Sequence, residues 1–494
     1  MKKHSVIKQL STNSLSLIAG GILPFAFAPF YWFWLAPLPI AGLLALWLKA
    51  NPKQAALRGW LFGLGMFGVG TSWVYISIHQ FGGTSIPLAL LFTALLIVVL
   101  ALFPATQGYL LTRFFPNNKL SKLLLAFPAS WVLFEWIRAW FLTGFPWLYL
   151  GYSQTNSPLR GYATIFGAYG ASFAVALTAA LIIAIIIRKG KTRLYCFIGL
   201  ILLWLLGGTL STIHWTKPIN KPISISIIQG NIPQQLKWSP EQVAPTMESY
   251  KKLTEKNWNS DLIIWPEAAI PLLAQYAQDY LNELDTKAKQ HKASIILGVP
   301  AQPNNQKVYN AAIVLGDGQG TYYKQHLVPF GEYLPFEHWL RGLINFFNLP
   351  MSNFSSGPKN QLLLIAKKIK IAPYICYEVA YAELVRRDLP QAQLLITMSN
   401  DAWFGNSFAA EQHVQIGQMR SIETGRYMLF ATNNGITAII SPDGKLIKTL
   451  PRFKTAVLTD NVYAMTGATP WIALGSWVVI LGCLMLLIIL MIIA

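Results

Sequence analysis

Five stretches of this chain carry no charged residue, and they decide most of what it can become. No Asp, Glu, Lys or Arg occurs from Gln9 to Leu48, from Gly59 to Thr112, from Gly161 to Ile187, from Leu194 to Thr216 or from Asn461 to Ala494. A membrane-crossing helix needs about 20 predominantly apolar residues. The first two runs each accommodate two spans, broken near Pro29–Trp32 and at HQFGGTSIP, and residues 123–143 read as a further span carrying Glu135 and Arg138. The expectation is eight transmembrane helices, seven before residue 217 and one from residue 469. AFA at 26–28 has the form of a signal-peptidase site, but the run continues into aromatic, Pro-rich sequence, which favours an uncleaved span. With 54% hydrophobic and 12% charged residues, an ordinary soluble protein is excluded.

Basic residues then set the orientation, because basic loops stay cytoplasmic. Lys2, Lys3 and Lys8 begin the bias; Lys49, Lys53 and Arg58, then Arg113, Lys119 and Lys122, then Arg188, Lys189, Lys191 and Arg193 continue it in every second loop. The alternate loops hold only Arg138 and Arg160. The N-terminus is therefore expected inside and residues 217–468 outside, between a membrane domain at 1–216 and a last helix at 469–494. The net charge of +19 lies mostly in the inner loops. Nucleic-acid binding, which needs a basic face on a folded domain, is not indicated. Glu135 and Arg138 are three apart on a membrane helix, and intramembrane charges are candidates for function. Near the outer end of their span, a local ion pair is the expectation, with head-group contact as the alternative.

The exported segment reads as α/β. Strand-like runs lie at 223–230, 261–267, 294–300, 309–316, 370–378, 394–400 and 436–442, and helical patterns at 240–257 and 272–292. Cys376, in KIAPYICYEVAY, is the only cysteine outside the long apolar runs that hold Cys196 and Cys483. A lone thiol in an oxidising compartment is either reactive or buried and inert. Glu267 ends DLIIWPE, Lys324 ends GTYYK and Cys376 nearly ends IKIAPYICYE. Active sites of α/β sheets gather beyond strand ends. There a carboxylate can take the thiol proton, the thiolate can attack an acyl carbon, and an ammonium can hold the oxyanion.

WPE at 265–267, YYKQHLVPFGEYLP at 322–335, ICYE at 375–378 and NDAWFG at 400–405 resemble the nitrilase superfamily. SWVYISIHQFGG (72–83), TGFPWLYLGYSQ (143–154) and IQGNIPQ (228–234) extend the resemblance to apolipoprotein N-acyltransferases of Gram-negative bacteria, over essentially the whole chain. The resemblance implies a polytopic α-helical membrane domain plus a periplasmic αββα sandwich, in the bacterial inner membrane. It implies the catalytic set Glu267, Lys324 and Cys376, with Trp238, Asn310, Glu332, Tyr377, Glu378, Trp403 and Arg426 in support. Phe430, in RYMLFATNNG, departs from the pattern, which has a second Arg there. The implied reaction moves an acyl chain from the sn-1 position of a phospholipid, through a cysteine thioester, to the α-amine of a diacylglyceryl-cysteine on an apolipoprotein. No cofactor is implied.

Plainer readings stand beside these. Glu332 suits a turn, although its place eight residues after Lys324 suggests a partner for the lysine. Glu378 also fits the cap of a helix from Val379, and Trp238 and Trp403 fit a core. His413 reads as structural within a helix rather than as the partner of Cys376, and the seven histidines show no metal-ligand spacing. The apolar segment 336–354, with Phe346 and Phe347, reads as a core helix or as an arm at the bilayer surface. The alternative functions are a membrane-anchored amidase or hydrolase of nitrilase type, and a non-enzymatic lipoprotein-binding scaffold or transporter. The orientation is testable: a membrane-impermeant thiol reagent should reach Cys376 from the periplasmic side. Labelling only after the inner membrane is breached would reverse the topology.

Overall fold

The computed structural model describes residues 2–117, 119–303, 307–333 and 354–493. Of the apolar segment 336–354 only Phe354 falls within them; it is buried and bridges to Val308. The chain divides into two compact units, one of Met1–Tyr75, Ile86–Ile213 and Thr469–Ala494, the other of Ile76–Ser85 and His214–Ala468. A ten-residue excursion out of the apolar region thus belongs with the α/β unit.

In the first unit the apolar runs are helices, as they must be where only internal hydrogen bonds can satisfy the backbone. Among the described residues, Ile86–Phe114, Pro158–Ile187 and Gly190–Ser211 are each long and apolar enough to cross a bilayer. The bent pair Pro52–Gly70 and Val74–Phe81 passes the same test jointly, and Leu10–Ala26, Phe33–Trp47 and Trp477–Ile493 are shorter apolar helices. Small residues allow the helices to close together. A Cβ on Gly20 would lie 1.9 Å from the Phe62 carbonyl oxygen, and one on Gly65 2.1 Å from that of Leu17. Glu135 and Arg138 are buried, but they do not form the expected ion pair. Glu135 Oε1 accepts from Trp131 Nε1 at 3.0 Å and from the Leu150 N–H at 2.8 Å. Arg138 donates to the carbonyls of Phe145 and Trp147 and lies over the rings of Phe67 and Tyr149. Each charge satisfies backbone groups of the 145–150 loop, which have no helix to pair within.

The second unit is built on two sheets. Its strands are β1 (Thr216–Gln229), β2 (Leu262–Ile264), β3 (Ser294–Ala301), β4 (Tyr309–Gly316), β5 (Gly318–Gln319), β6 (Thr321–Tyr323), β7 (Leu364–Ala366), β8 (Ile369–Ile375), β9 (Leu394–Ser399), β10 (Met428–Thr432), β11 (Ala438–Ile440), β12 (Leu446–Thr449) and β13 (Ala456–Gly467). One sheet runs β13-β1-β2-β3-β4-β6 and the other β12-β11-β10-β9-β8-β7-β5. Alternation along the strands sorts side chains between layers. Leu262, Ile264 and Ile296 join Ile371, Leu394 and Ile396 in the core between the sheets. Ile263, Trp265, Ile295 and Leu297 face outward onto Tyr250, Leu281 and Leu284 of the helices Pro240–Glu255 and Gln278–Gln290. With the helix Ala409–Thr424 against β10, this is the four-layer αββα sandwich. Both faces of each sheet are covered, which is why the strands read as nearly unbroken apolar runs.

β1–β2–β3 and β8–β9–β10 are parallel sets, so their C-terminal ends gather and deliver Glu267, Cys376 and Asn400. Truncating Ile396 to Ala, in the inter-sheet core, should lower stability by about 2–5 kcal/mol. Leu362→Ala, at a side chain 90% exposed, should lower it by less than about 0.5 kcal/mol. Thermal unfolding compares the two, and equal effects would contradict the layer assignment.

Candidate active site

Three strand ends meet at one buried polar group. β2 runs into Trp265-Pro266-Glu267, β6 into Lys324, and β8 into Cys376. Lys324 is 1% exposed, Glu332 6% and Glu267 7%. The Lys324 ammonium lies 2.8 Å from Glu332 Oε1 and 3.4 Å from Glu267 Oε1. Asn310, on β4, donates its Nδ2 to both carboxylates, at 2.7 Å to Glu267 and 3.3 Å to Glu332. The Asn400 N–H completes Glu267 by donating to Oε2 at 2.8 Å, and the Val328 N–H donates to Glu332 Oε2 at 2.8 Å. The second bond is local: the turn around Gly331 brings Glu332 back over its own loop. Burial alone would push Lys324 down, but Glu332 and Glu267 outweigh it and hold the ammonium above its usual range.

Cys376 follows β8 in a left-handed conformation, φ 56°, at the head of a 3-10 turn through Ala380. Such backbone is costly for a residue with a side chain and is held in place by its surroundings. Here the hold comes from both sides. Glu378 Oε2 accepts the Ile375 N–H at 2.8 Å, while its Oε1 accepts from Tyr322 Oη at 2.9 Å and from the N–H groups of Gln325 and His326 at 2.6 and 3.1 Å. One carboxylate therefore ties the Cys376 turn to the loop that follows Lys324. Burial pushes Glu378 up to about 7, against the pull of those N–H groups and Lys324. The helical turn starts at Cys376 rather than Val379. Burial and Glu267 raise the Cys376 thiol, and Lys324 and a hydrogen bond with Ser399 pull it back only in part. The surroundings thus favour the thiol over the thiolate.

The other sequence candidates are placed as follows. Tyr377 is half-buried against His326 and Tyr381. Trp403 is half-buried; its carbonyl accepts Ser77 Oγ at 2.8 Å, and Phe81 packs edge-on to its ring. The 76–85 segment thus sits on NDAWFG. Trp238 is half-buried, with its Nε1 enclosed and without an acceptor. Arg426 joins a different network: its guanidinium donates to the carbonyls of Ala392, Thr424, Pro390 and Gly467, tying β10, β13 and the loop before β9 together. Phe430 is buried and edge-on to His413 at 5.0 Å.

His413 is read from the sequence as structural within a helix, but its partners are not, and Lys237 escaped that reading altogether. His413 lies within the helix Ala409–Thr424 and bonds the Cys376 carbonyl, Nε2 to O at 3.1 Å, while Nδ1 meets Asp401 Oδ1 at 3.0 Å. Nothing near His413 in the sequence announces that partner. Lys237 donates to the Glu267 carbonyl at 3.2 Å. Its signal was visible, as the one charge between Lys221 and Glu241.

Comparison with known proteins accounts for both units. The family model described as apolipoprotein N-acyltransferase N-terminal domain matches residues 19–181, and that described as carbon-nitrogen hydrolase matches residues 224–470. The apolipoprotein N-acyltransferase of Coxiella burnetii is 46% identical, over 92% of this chain and 95% of its own. That of Azotobacter vinelandii is 46% identical, over 94% and 92%. Among solved structures, XC1258 of Xanthomonas campestris, a CN-hydrolase superfamily protein, covers 50% of this chain and 92% of its own at 20% identity and a TM-score of 0.38.

The Arg426 network yields a separable prediction. Arg426→Leu leaves buried carbonyls unsatisfied, at about 1–3 kcal/mol each, so the melting temperature should fall markedly. The folded fraction should keep its KM for phospholipid. A raised KM with unchanged stability would make Arg426 a substrate contact instead.

Proposed function

The chain belongs to the apolipoprotein N-acyltransferase family, and from that premise we propose the route by which its residues carry out the reaction. It is an acyltransferase that acylates lipoproteins at their N-terminus during maturation. Glu267 accepts the proton of Cys376, and the thiolate attacks the sn-1 ester carbonyl of a membrane phospholipid. Lys324 faces the oxygen that becomes negative. As the tetrahedral adduct collapses, the glycerol oxygen leaves with the proton from Glu267, and the acyl chain stays on Cys376 as a thioester. The α-amine of an apolipoprotein's diacylglyceryl-cysteine then attacks the thioester carbon and gives its proton to Glu267. Collapse expels the thiolate, which recovers that proton, and an amide is released.

One observation carries this reading: Lys324 stands between two carboxylates, 2.8 Å from Glu332 and 3.4 Å from Glu267. Glu332 and Asn310 keep the lysine and the base apart in role, since Glu332 neutralises the ammonium and leaves Glu267 free to gain and lose a proton. Trp238, Tyr377 and Trp403 are assigned to the substrates, and Glu378 to the nucleophile's turn. The charge-free runs support eight spans in a bacterial inner membrane, and the basic-loop bias supports a cytoplasmic N-terminus and a periplasmic domain at 217–468. A hydrolase of nitrilase type would share the thioester and differ only in admitting water.

Incubation with phospholipid should place one hydroxylamine-sensitive acyl group on Cys376, seen by mass spectrometry, and none on Cys376→Ala. Glu267→Gln should slow its formation by about 10²–10⁴-fold, the usual contribution of a general base. Lys324→Ala should cost about 2.7–4 kcal/mol of barrier, as loss of an oxyanion donor does. Near-normal acylation in either variant would remove that residue from the mechanism.

A further inference from the structure

A buried cation beside Glu267 has no part in the proposed reaction. Lys237, in the loop after β1, is 2% exposed. Its ammonium has three N–H groups to satisfy, yet the Glu267 carbonyl is its only hydrogen-bond acceptor among the described residues. The Trp238 ring lies alongside, 5.9 Å from Nζ. A charge buried with so few partners is costly, and a Met of similar length would fill the space without that cost. Its charge therefore calls for an explanation beyond packing.

The charges around it suggest one. Lys324 alone faces the carboxylates of Glu267 and Glu332, which leaves that group one negative charge in excess. Asp401 adds a further negative influence at Cys376, where a thiolate must form. Lys237 interacts with Glu267 through the main-chain carbonyl, to which it donates at 3.2 Å. We infer that Lys237 is a positioning residue for acyl transfer: it pins the Glu267 backbone and supplies the cation that balances the two carboxylates while negative charge builds on Cys376 and the substrate oxygen. This rests on Glu267 acting as the base.

The groups that bear on this balance are Glu267 next to Lys237 and, around Glu267, Lys324, Glu332, Cys376 and Asp401, with Glu378 acting on Lys324 and His413 bonded to Asp401. Burial lowers Lys237 to about 8, with Glu267 opposing it. The balancing charge is thus present below about pH 8 and lost above it. The stability linkage has the opposite sense. A lysine lowered on folding binds fewer protons in the folded state, so its burial penalty is full below the folded value and is relieved as pH rises above it. Removing the charge relieves that penalty and so offsets the lost bond to the Glu267 carbonyl; the reaction should slow while the fold holds, a combination that a merely structural lysine cannot give.

The test measures the rate of Cys376 acylation by dioleoyl phosphatidylethanolamine in detergent against pH, alongside the melting temperature. In the unaltered enzyme the rate should fall above about pH 8. Lys237→Met should react on the order of tenfold more slowly at pH 7, the effect of one pK unit between neighbouring groups, lack the alkaline fall, and melt no lower. Lys237→Arg, which stays charged, should carry the rate to higher pH. A Lys237→Met variant with the normal rate and profile, or variants whose rates fall in step with their melting temperatures, would overturn the proposal. If Lys237→Met does not fold, an unmoved alkaline fall in Lys237→Arg overturns it, and failure of both to fold makes the lysine structural. No adduct in the unaltered enzyme would sink the reading of the base as well, whereas an adduct indifferent to residue 237 sinks this inference alone.

Discussion

A lysine ammonium buried between two carboxylates is the constraint around which the α/β unit is organised. Ions removed from water cost several kcal/mol each unless their geometry and hydrogen bonds are nearly complete. Lys324, Glu267 and Glu332 meet that demand only because four strand ends converge. β6 leads into Lys324, β2 into Glu267, β4 supplies Asn310 to both acids, and β9 leads into the Asn400 N–H. Three of those strands, β2, β4 and β6, belong to the first sheet and β9 to the second. The polar group therefore spans the sandwich, and register errors in either sheet would leave a charge unpaired. The apolar layer of Ile264, Ile296 and Ile396 beneath it keeps that register.

The same physics recurs in the apolar unit with a different purpose. Glu135 and Arg138 hold backbone groups of the 145–150 loop, where irregular chain would otherwise lie unsatisfied at the end of a helix. Glu378 does this work in the α/β unit, collecting three N–H groups and a tyrosine hydroxyl. In all three cases a charged side chain stands in for missing secondary-structure bonds: one for Glu135, two for Arg138 and three for Glu378. That explains why so few charges in the apolar runs are compatible with an ordered loop, and why the strained turn at Cys376 is stable.

Much of this was legible from the sequence for local reasons. Charge-free runs marked the apolar helices, and the WPE, YYK and ICYE strand ends marked the site, because both signals are contiguous. Glu332 was read correctly as a neighbour of Lys324, since eight residues and a Gly turn bring the chain back on itself. The runs 223–230, 294–300, 309–316 and 394–400 all appear as strands. What escaped was set by distant partners. β10 and β13, at 428–432 and 456–467, were not singled out, since RYMLFAT and the polar alternation of AVLTDNVYAMTG become strands by pairing with β9, β11 and β1. Nothing local shows that His413 reaches the Cys376 carbonyl, or that Arg426 serves four main-chain oxygens. Glu135 and Arg138 have the spacing of an ion pair, and lost it to carbonyl and N–H groups that spacing does not reveal.

What distinguishes an acyltransferase from a hydrolase built on the same polar group is the fate of the thioester. Water must be kept from an acyl-Cys376 until an amine arrives. The decisive measurement loads Cys376 from phospholipid, removes excess donor, and follows the adduct with and without a peptide bearing an N-terminal diacylglyceryl-cysteine. Acyl transfer requires that the adduct persist alone and discharge with the peptide, the chain being recovered as an amide, and that blocking the peptide's α-amine stop the discharge. Steady release of free fatty acid, indifferent to the peptide, would contradict it.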